Sequence, residues 1–231
     1  MKPHTMTDGQ RQLIKRFVAA FKKLKVKKGD AISRNARLLD IRYRLTLDLR
    51  ISIETEYSST NTKAVHDVYE LLFKFLDLWN VYEVCCVYGR ELGVCGNSKV
   101  SEWDEGFLKS AGVLEFLERQ ADAFRQELAT ASGNAEKYRQ YLAHFSQLEA
   151  VRGSNKEQFR SYLEAPAEGF DYRQLLFIQY MERNSYYHGG EAAKAGSDYG
   201  YRERQLSFYI AFLTELVAML GAALFSKEKD I

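Results

Sequence analysis

The sequence has few residues that interrupt helices or cross-link a chain. Only 2 of its 231 residues are proline, Pro3 and Pro166, so long uninterrupted helices are possible over most of its length. Its 3 cysteines, Cys85, Cys86 and Cys95, are an odd number that includes an adjacent pair. Such a set does not form a disulfide framework and is typical of a reducing compartment. We therefore expect a helix-rich protein of the cytoplasm.

Several motifs of known chemistry are also missing. The sequence has no P-loop, no H-E-x-x-H and no G-x-S-x-G motif. The cysteines lack C-x-x-C spacing and a neighbouring histidine, and the many carboxylates are scattered, so neither zinc nor magnesium is expected. We expect no cofactor.

Targeting signals are missing as well. The N-terminal segment is polar and has no apolar h-region, so no secretory signal peptide is expected. No apolar run approaches roughly 18 residues, so no membrane span is expected either.

Charge is unevenly distributed along the chain. The net charge is +2, but residues 1–50 carry 14 Lys and Arg against 4 Asp and Glu, and the remaining residues carry 19 against 27. The first part therefore has a balance of +10 and the rest a balance of −8. A basic surface of this kind can attract an anion such as RNA, and it is equally typical of a solvated face of one domain.

Hydrophobic periodicity predicts an all-α fold of six to eight helices in a single domain, 1–231. An N-terminal helical part spans about 10–165, and a C-terminal region spans about 171–225. Loops are predicted at 89–98 and 191–200, with Ser101 as an N-cap, Asp104 at its capping-box position and Asp171 as a second cap. The predicted helices are 11–28, ended by Gly29 and Asp30, then 63–92, pieces between 101 and 130, 134–150, 155–164, 171–187 and 200–225.

Residues 41–53 fit two structures. Their strict alternation of apolar and polar residues is typical of a strand, but no second convincing strand is present to pair with it. Leu38, Ile41, Leu45 and Leu49 also form a helical stripe, which favours a helix from about Ser33 onward. A short β element around 41–53 is the alternative.

The most distinctive stretch is R-N-S-Y-Y-H-G-G at 183–190. It lies between two predicted helices, and its glycines predict that the first helix ends near His188. Five residues of helix turn by about 140° and rise by about 7.5 Å, so Arg183 and His188 do not share one face of a regular helix. A site that uses both side chains therefore needs a helix break, a second chain, or both.

This arrangement resembles the HEPN superfamily, whose signature is R-x(4–6)-H, often with RN at its start and HG at its end. Arg183, Asn184 and His188-Gly189 match that signature, and the following loop and long helix also look like the family. The resemblance covers roughly the last 60 residues. It implies a HEPN-like helical bundle with additional helices.

The resemblance also implies a metal-independent endoribonuclease. In HEPN ribonucleases two copies of the motif line one cleft of a homodimer, and RNA is cleaved to a 2′,3′-cyclic phosphate. Arg183 would stabilise the phosphorane, His188 would move a proton, and Asn184 would orient the phosphate or His188. A histidine at a helix C-terminus suits that role, because the helix dipole favours its protonated form. Family analogy suggests toxin–antitoxin or phage-defence settings, with an antitoxin as a possible protein partner.

Each candidate residue also has a simple structural interpretation. Tyr186 and Tyr187 can stack on RNA bases, but aromatic side chains more often pack in a core or an interface. Lys22, Lys23 and Lys25 can contact the RNA backbone, but a solvated helix face explains them as well. Arg183 can simply pair with a carboxylate, and His188 can bond a terminal carbonyl of the helix. The alternative to an enzyme is a non-catalytic HEPN module that binds RNA, a nucleotide or a protein partner.

Overall fold

The computed structural model describes residues 6–25, 29–53, 62–96, 102–130, 171–189 and 199–229. Within these ranges 85% of residues are helical and no strand is present, which confirms the all-α prediction. The helices predicted at 134–150 and 155–164 lie outside the described residues. The described helices are α1 (Asp8–Lys22), α2 (Ala31–Asp48), α3 (Thr62–Glu91), α4 (Glu105–Ser110), α5 (Val113–Thr130), α6 (Tyr172–Gly189) and α7 (Tyr199–Lys229).

The core is built around the two longest helices, α3 and α7, which pack along each other. Helix α1 covers α7, and α2 packs mainly against α3. The approach of α1 to α7 depends on Gly221, because a Cβ atom there would lie 2.3 Å from the Phe17 ring. Phe17 is fully buried and also contacts Tyr43 and Phe225, so α1 is tightly fixed on the core.

Three predicted helix ends were wrong, namely both ends of α1 and the start of α4. Helix α1 begins at Asp8, because Thr7 and Gln10 form a reciprocal capping box, and it ends at Lys22 rather than at Gly29. Helix α4 is capped by Asp104 itself, whose carboxylate accepts a 2.6 Å hydrogen bond from the Phe107 amide. Asp104 was predicted to lie three residues after a cap at Ser101, but it is the cap itself. Ser101 lies outside the described residues.

The ambiguous segment is a helix as far as Asp48, and residues 49–53 follow without regular structure. Asp30 caps its start by accepting from the Ser33 amide at 2.9 Å. At its end, Lys74 of α3 donates to the carbonyls of Leu47 and Leu49 at 3.2 and 3.3 Å. The favoured helical interpretation is therefore confirmed, and the strand alternative is wrong.

Helix α7 contains a stretch that is long and apolar enough to cross a membrane by length and composition alone. Some 67% of that stretch is buried inside the protein, as is usual for a central core helix. Leu213, Leu216 and Leu220 all belong to the buried face. The burial explains the apolar composition, and the absence of a membrane span stays a prediction.

Candidate functional site

Residues 183–189 of the R-N-S-Y-Y-H-G-G stretch lie in the last two turns of α6, and Gly190 lies outside the described residues. The helix starts with a capping box in which Asp171 accepts from the amides of Arg173 and Gln174, while Gln174 accepts from the Asp171 amide. Asp171 is therefore the cap, as predicted. The helix continues without a break to Gly189, so the prediction that it ends near His188 is confirmed.

Helix α6 therefore holds Arg183 and His188 on different faces, about 140° apart. The imidazole of His188 lies outside the described part of the structure. A helix break between Arg183 and His188 was one way to bring both side chains into one site, and α6 has no such break. A site that uses both now depends on a second chain.

The Arg183 guanidinium is held by three groups. Its Nη2 donates to Glu83 Oε2 of α3 at 3.3 Å, and its Nη1 donates to Asn184 Oδ1 at 2.8 Å. Its Cζ atom lies 4.8 Å from the centre of the Tyr187 ring, which is a cation–π geometry. The side chain is only 22% exposed, so the guanidinium is fixed in direction and reaches the surface at one edge.

Glu83 is itself oriented by a buried neighbour. Trp79 Nε1 donates to Glu83 Oε1 at 3.1 Å, and Trp79 is fully buried. One oxygen of the carboxylate therefore accepts a hydrogen bond from Trp79 in the core, and the other pairs with Arg183. Sequence reasoning missed Glu83, because it lies 100 residues from Arg183 and is one of many acidic residues on a helix.

The two tyrosines of the motif have different environments. Tyr186 is half-buried and meets the ring of Phe73 edge-on at 5.8 Å, and burial raises the pKa of its hydroxyl. Tyr187 is 49% exposed, and its hydroxyl accepts a 3.3 Å hydrogen bond from Asn80. Both side chains therefore pack against α3, and Tyr187 in addition presents a ring to the surface beside Arg183.

The lysines proposed to contact RNA are not part of this cluster. Lys22, Lys23 and Lys25 are exposed at the end of α1 and just after it. Helix α1 packs mainly on α7, whereas α6 packs on α5 and α3. The lysines and the motif are thus carried by helices with different neighbours.

A buried ion pair stands directly behind the motif. Glu182 of α6 pairs with Arg202 of α7, and the side chains are 2% and 6% exposed. Arg202 Nη1 also donates to Gln205 at 2.7 Å, and Gln205 donates to the buried Tyr209 hydroxyl at 3.0 Å. Burial raises the pKa of Tyr209, so the hydroxyl stays neutral. This network ties the motif helix to the core, and no sequence pattern marks it.

The three cysteines pack in the core or against it. Cys85 and Cys86 are buried, as predicted, and burial raises the pKa of Cys85. A hydrogen bond between Cys86 and Cys95 raises the pKa of the first thiol and lowers that of the second. Within the described ranges no group of three or more His, Cys, Asp or Glu side chains could hold a metal ion.

Comparison with protein-family models, with curated proteins and with solved structures gives no match to this chain.

Proposed function

We propose that the protein is a metal-independent endoribonuclease of the HEPN type that cleaves single-stranded RNA. The observation that carries the proposal is the Arg183 guanidinium, which is held between Glu83, Asn184 and the Tyr187 ring at the surface end of α6. A fixed arginine five residues before a histidine at a helix C-terminus supplies an anion clamp and a proton carrier.

The hydrogen-bond inventory of Arg183 leaves room for a phosphate. A guanidinium has five N–H donors. One Nη1 donor is used by Asn184 and one Nη2 donor by Glu83, while Nε is buried without a hydrogen-bond partner. One N–H on each Nη atom therefore remains, and a phosphate needs two such donors for a bidentate contact.

The reaction is a transesterification within the RNA strand. The ribose 2′-oxygen forms a bond to the adjacent phosphorus, and the bond from phosphorus to the 5′-oxygen breaks. His188 takes the proton of the 2′-hydroxyl, a second protonated imidazole gives a proton to the leaving 5′-oxygen, and Arg183 neutralises the phosphorane. The products are a 2′,3′-cyclic phosphate and a 5′-hydroxyl.

The second imidazole is assigned to His188 of a second copy. Because α6 is unbroken, one chain does not present Arg183 and His188 on the same face. Apolar side chains at the motif support a contact there, since Phe73, which meets Tyr186, and Tyr187 are 36% and 49% exposed. Exposed apolar surface of this kind is typical of an interface. The proposal predicts a dimer, and a strictly monomeric protein at micromolar concentration contradicts the composite site.

The test is cleavage of a labelled single-stranded RNA in excess EDTA by the wild type and by His188→Ala and Arg183→Ala. Arg173→Ala is the matched control, because Arg173 lies on the same helix in an exposed pair with Glu105 and Asp171. Cleavage that both site variants lose by 100-fold or more, roughly the effect of removing a charge-stabilising group, supports the proposal. Cleavage that survives both substitutions overturns it.

A non-catalytic HEPN module that binds RNA, a nucleotide or a protein partner is the second candidate. The ion pair of Arg183 with Glu83 favours it, because a guanidinium that is already neutralised also fits a structural role. Binding of RNA without cleavage, weakened by Arg183→Ala, supports this candidate over the enzyme. A role in toxin–antitoxin or phage defence rests on the family resemblance alone.

A further inference from the structure

Helix α2 carries an apolar stripe on the side that faces away from the core. Leu38, Ile41, Leu45 and Leu49 are 38%, 52%, 66% and 38% exposed, and they are four of the seven large apolar side chains that are exposed in the described ranges. Their spacings place Leu38, Ile41 and Leu45 in one line along the helix, and Leu49, the residue directly after it, continues that line. We call these four residues the α2 stripe, and its length is about 16 Å.

In the part of the chain that the structure describes, the α2 stripe lies outside the buried face of α2. The buried face of α2 consists of Ser33, Asn35, Ala36, Leu39, Asp40, Tyr43 and Thr46. Tyr43, for example, is fully buried and donates to the Thr214 carbonyl of α7 at 2.6 Å. A helix with one face fixed on the core and a second apolar face in solvent carries a surface of the kind that marks binding sites.

The charges around the α2 stripe are almost all positive. At 100° per residue, Arg34 continues the line of the stripe at its N-terminal end, and Arg37 and Arg42 flank it on opposite edges. All three are exposed and have no ion-pair partner among the described residues. Arg44 is neutralised by Asp40, and Asp48 is the one exposed acidic residue of the helix.

This charge pattern selects the kind of occupant. The charged border of the stripe is net positive, because Arg34, Arg37 and Arg42 outnumber Asp48. A second copy carries the same net charge, and like charge opposes association. A helix with an apolar face bordered by Glu or Asp instead buries the α2 stripe and pairs with Arg34, Arg37 and Arg42.

We propose that the α2 stripe is a docking site for an acidic amphipathic helix of a partner protein. The contact is of the coiled-coil type, helix against helix, with apolar anchors at intervals of three and four residues and charged edges that set orientation. This surface is independent of the proposed ribonuclease site, since the α2 stripe and the motif are on different helices.

The probes are two fluorescent synthetic peptides about three heptads long, with identical Leu positions and either Glu or Lys at the flanking positions. Titration by fluorescence anisotropy is expected to show at least tenfold tighter binding of the Glu peptide, with affinity that falls as salt rises. Leu45→Ser is expected to weaken binding of the Glu peptide by about tenfold or more. Since Leu45 is 66% exposed, this variant should keep the wild-type helicity and Tm.

A charge exchange gives the sharper test. The double variant Arg34→Glu/Arg42→Glu is expected to prefer the Lys peptide, whereas Arg16→Glu on the exposed part of α1 keeps the wild-type preference. Equal affinity for the two peptides, or no binding of either, overturns the proposal. Binding of phosphatidylserine vesicles that depends on Leu45, without selectivity between the two peptides, would also overturn the proposal. A lower sedimentation coefficient for Leu45→Ser than for the wild type would overturn it too, because it would indicate self-association through the stripe.

Discussion

Arg183 Nη2 lies 3.3 Å from Glu83 Oε2, and this ion pair joins the motif helix α6 to the central helix α3. The carboxylate fixes the guanidinium and at the same time competes with any phosphate for it. If the guanidinium binds RNA, the neighbouring negative charge lowers the affinity for RNA.

Glu83→Gln is therefore expected to tighten RNA binding by several-fold while it costs less than about 1 kcal/mol of stability, because the pair is partly exposed. A glutamine can still accept from Trp79, which keeps the side chain in place. Filter binding with single-stranded RNA at fixed salt measures the change in Kd. Weaker binding by Glu83→Gln would show that the carboxylate aids RNA recognition rather than opposing it.

The buried pair behind the motif should be sensitive to the loss of one partner. Arg202→Met leaves the Glu182 carboxylate buried without its cation, and we expect a loss of about 3–5 kcal/mol in the free energy of unfolding. The double variant Glu182→Leu/Arg202→Met removes both charges and should be more stable than Arg202→Met. Urea unfolding of the wild type, of Arg202→Met, of Glu182→Leu and of the double variant gives the coupling energy between the two side chains. Additive losses would contradict the pairing.

Gly221 is predicted to resist the substitution that normally strengthens a helix. Alanine in a helix interior gains up to about 1 kcal/mol over glycine. At this position its Cβ would lie 2.3 Å from the buried Phe17 ring, and such overpacking costs about 1–3 kcal/mol. We expect Gly221→Ala to lower the Tm, and Phe17→Leu in the same background should recover part of the loss. A higher Tm for Gly221→Ala alone would refute the close contact.

Glu215 should make the protein less stable as pH rises. Burial raises the pKa of this carboxyl above its ordinary value of 4.5, against the opposing effects of the Gln10 hydrogen bond and of Arg119. The folded state thus holds the proton more tightly than the unfolded state, so stability that is present at low pH is lost as pH rises through the raised pKa. Glu215→Gln should be more stable than the wild type at pH 7 and lose that advantage below pH 4.5.

Denaturant unfolding at several pH values measures this difference. Glu118→Gln, on the exposed side of α5 and outside its first turn, is the matched control for the loss of one carboxylate. A constant difference in the free energy of unfolding between Glu215→Gln and the wild type across the pH range would show that folding does not change the pKa of this carboxyl.

The long helices could be predicted because their apolar residues repeat with one clear period. Helices α3 and α7 were predicted to within a few residues, and Asp171 marked the start of α6 correctly. Helix α2 was harder, since Ile41, Tyr43 and Leu45 alternate as in a strand. In the helix Tyr43 faces the core while Ile41 and Leu45 face solvent, so the alternation reflects two apolar faces.

The surroundings of the motif could not be predicted from the sequence. The partners of Arg183 and Glu182 are Glu83 and Arg202, which other helices supply. Local patterns predict helices and caps, but the choice of one carboxylate among many depends on how helices pack. For the same reason the motif could be recognised, whereas the groups that hold it could not.

If Arg183 and His188 cleave RNA as proposed, the attacking group is the ribose 2′-hydroxyl. The most direct measurement is mass spectrometry of the products from a single-stranded RNA in EDTA, beside the same oligonucleotide with 2′-deoxyribose at each cleaved position. We expect a 2′,3′-cyclic phosphate and a 5′-hydroxyl from the RNA, no cleavage of the deoxy oligonucleotide, and no product from His188→Ala. Intact RNA with the wild-type protein, or products that carry a 5′-phosphate, would contradict it.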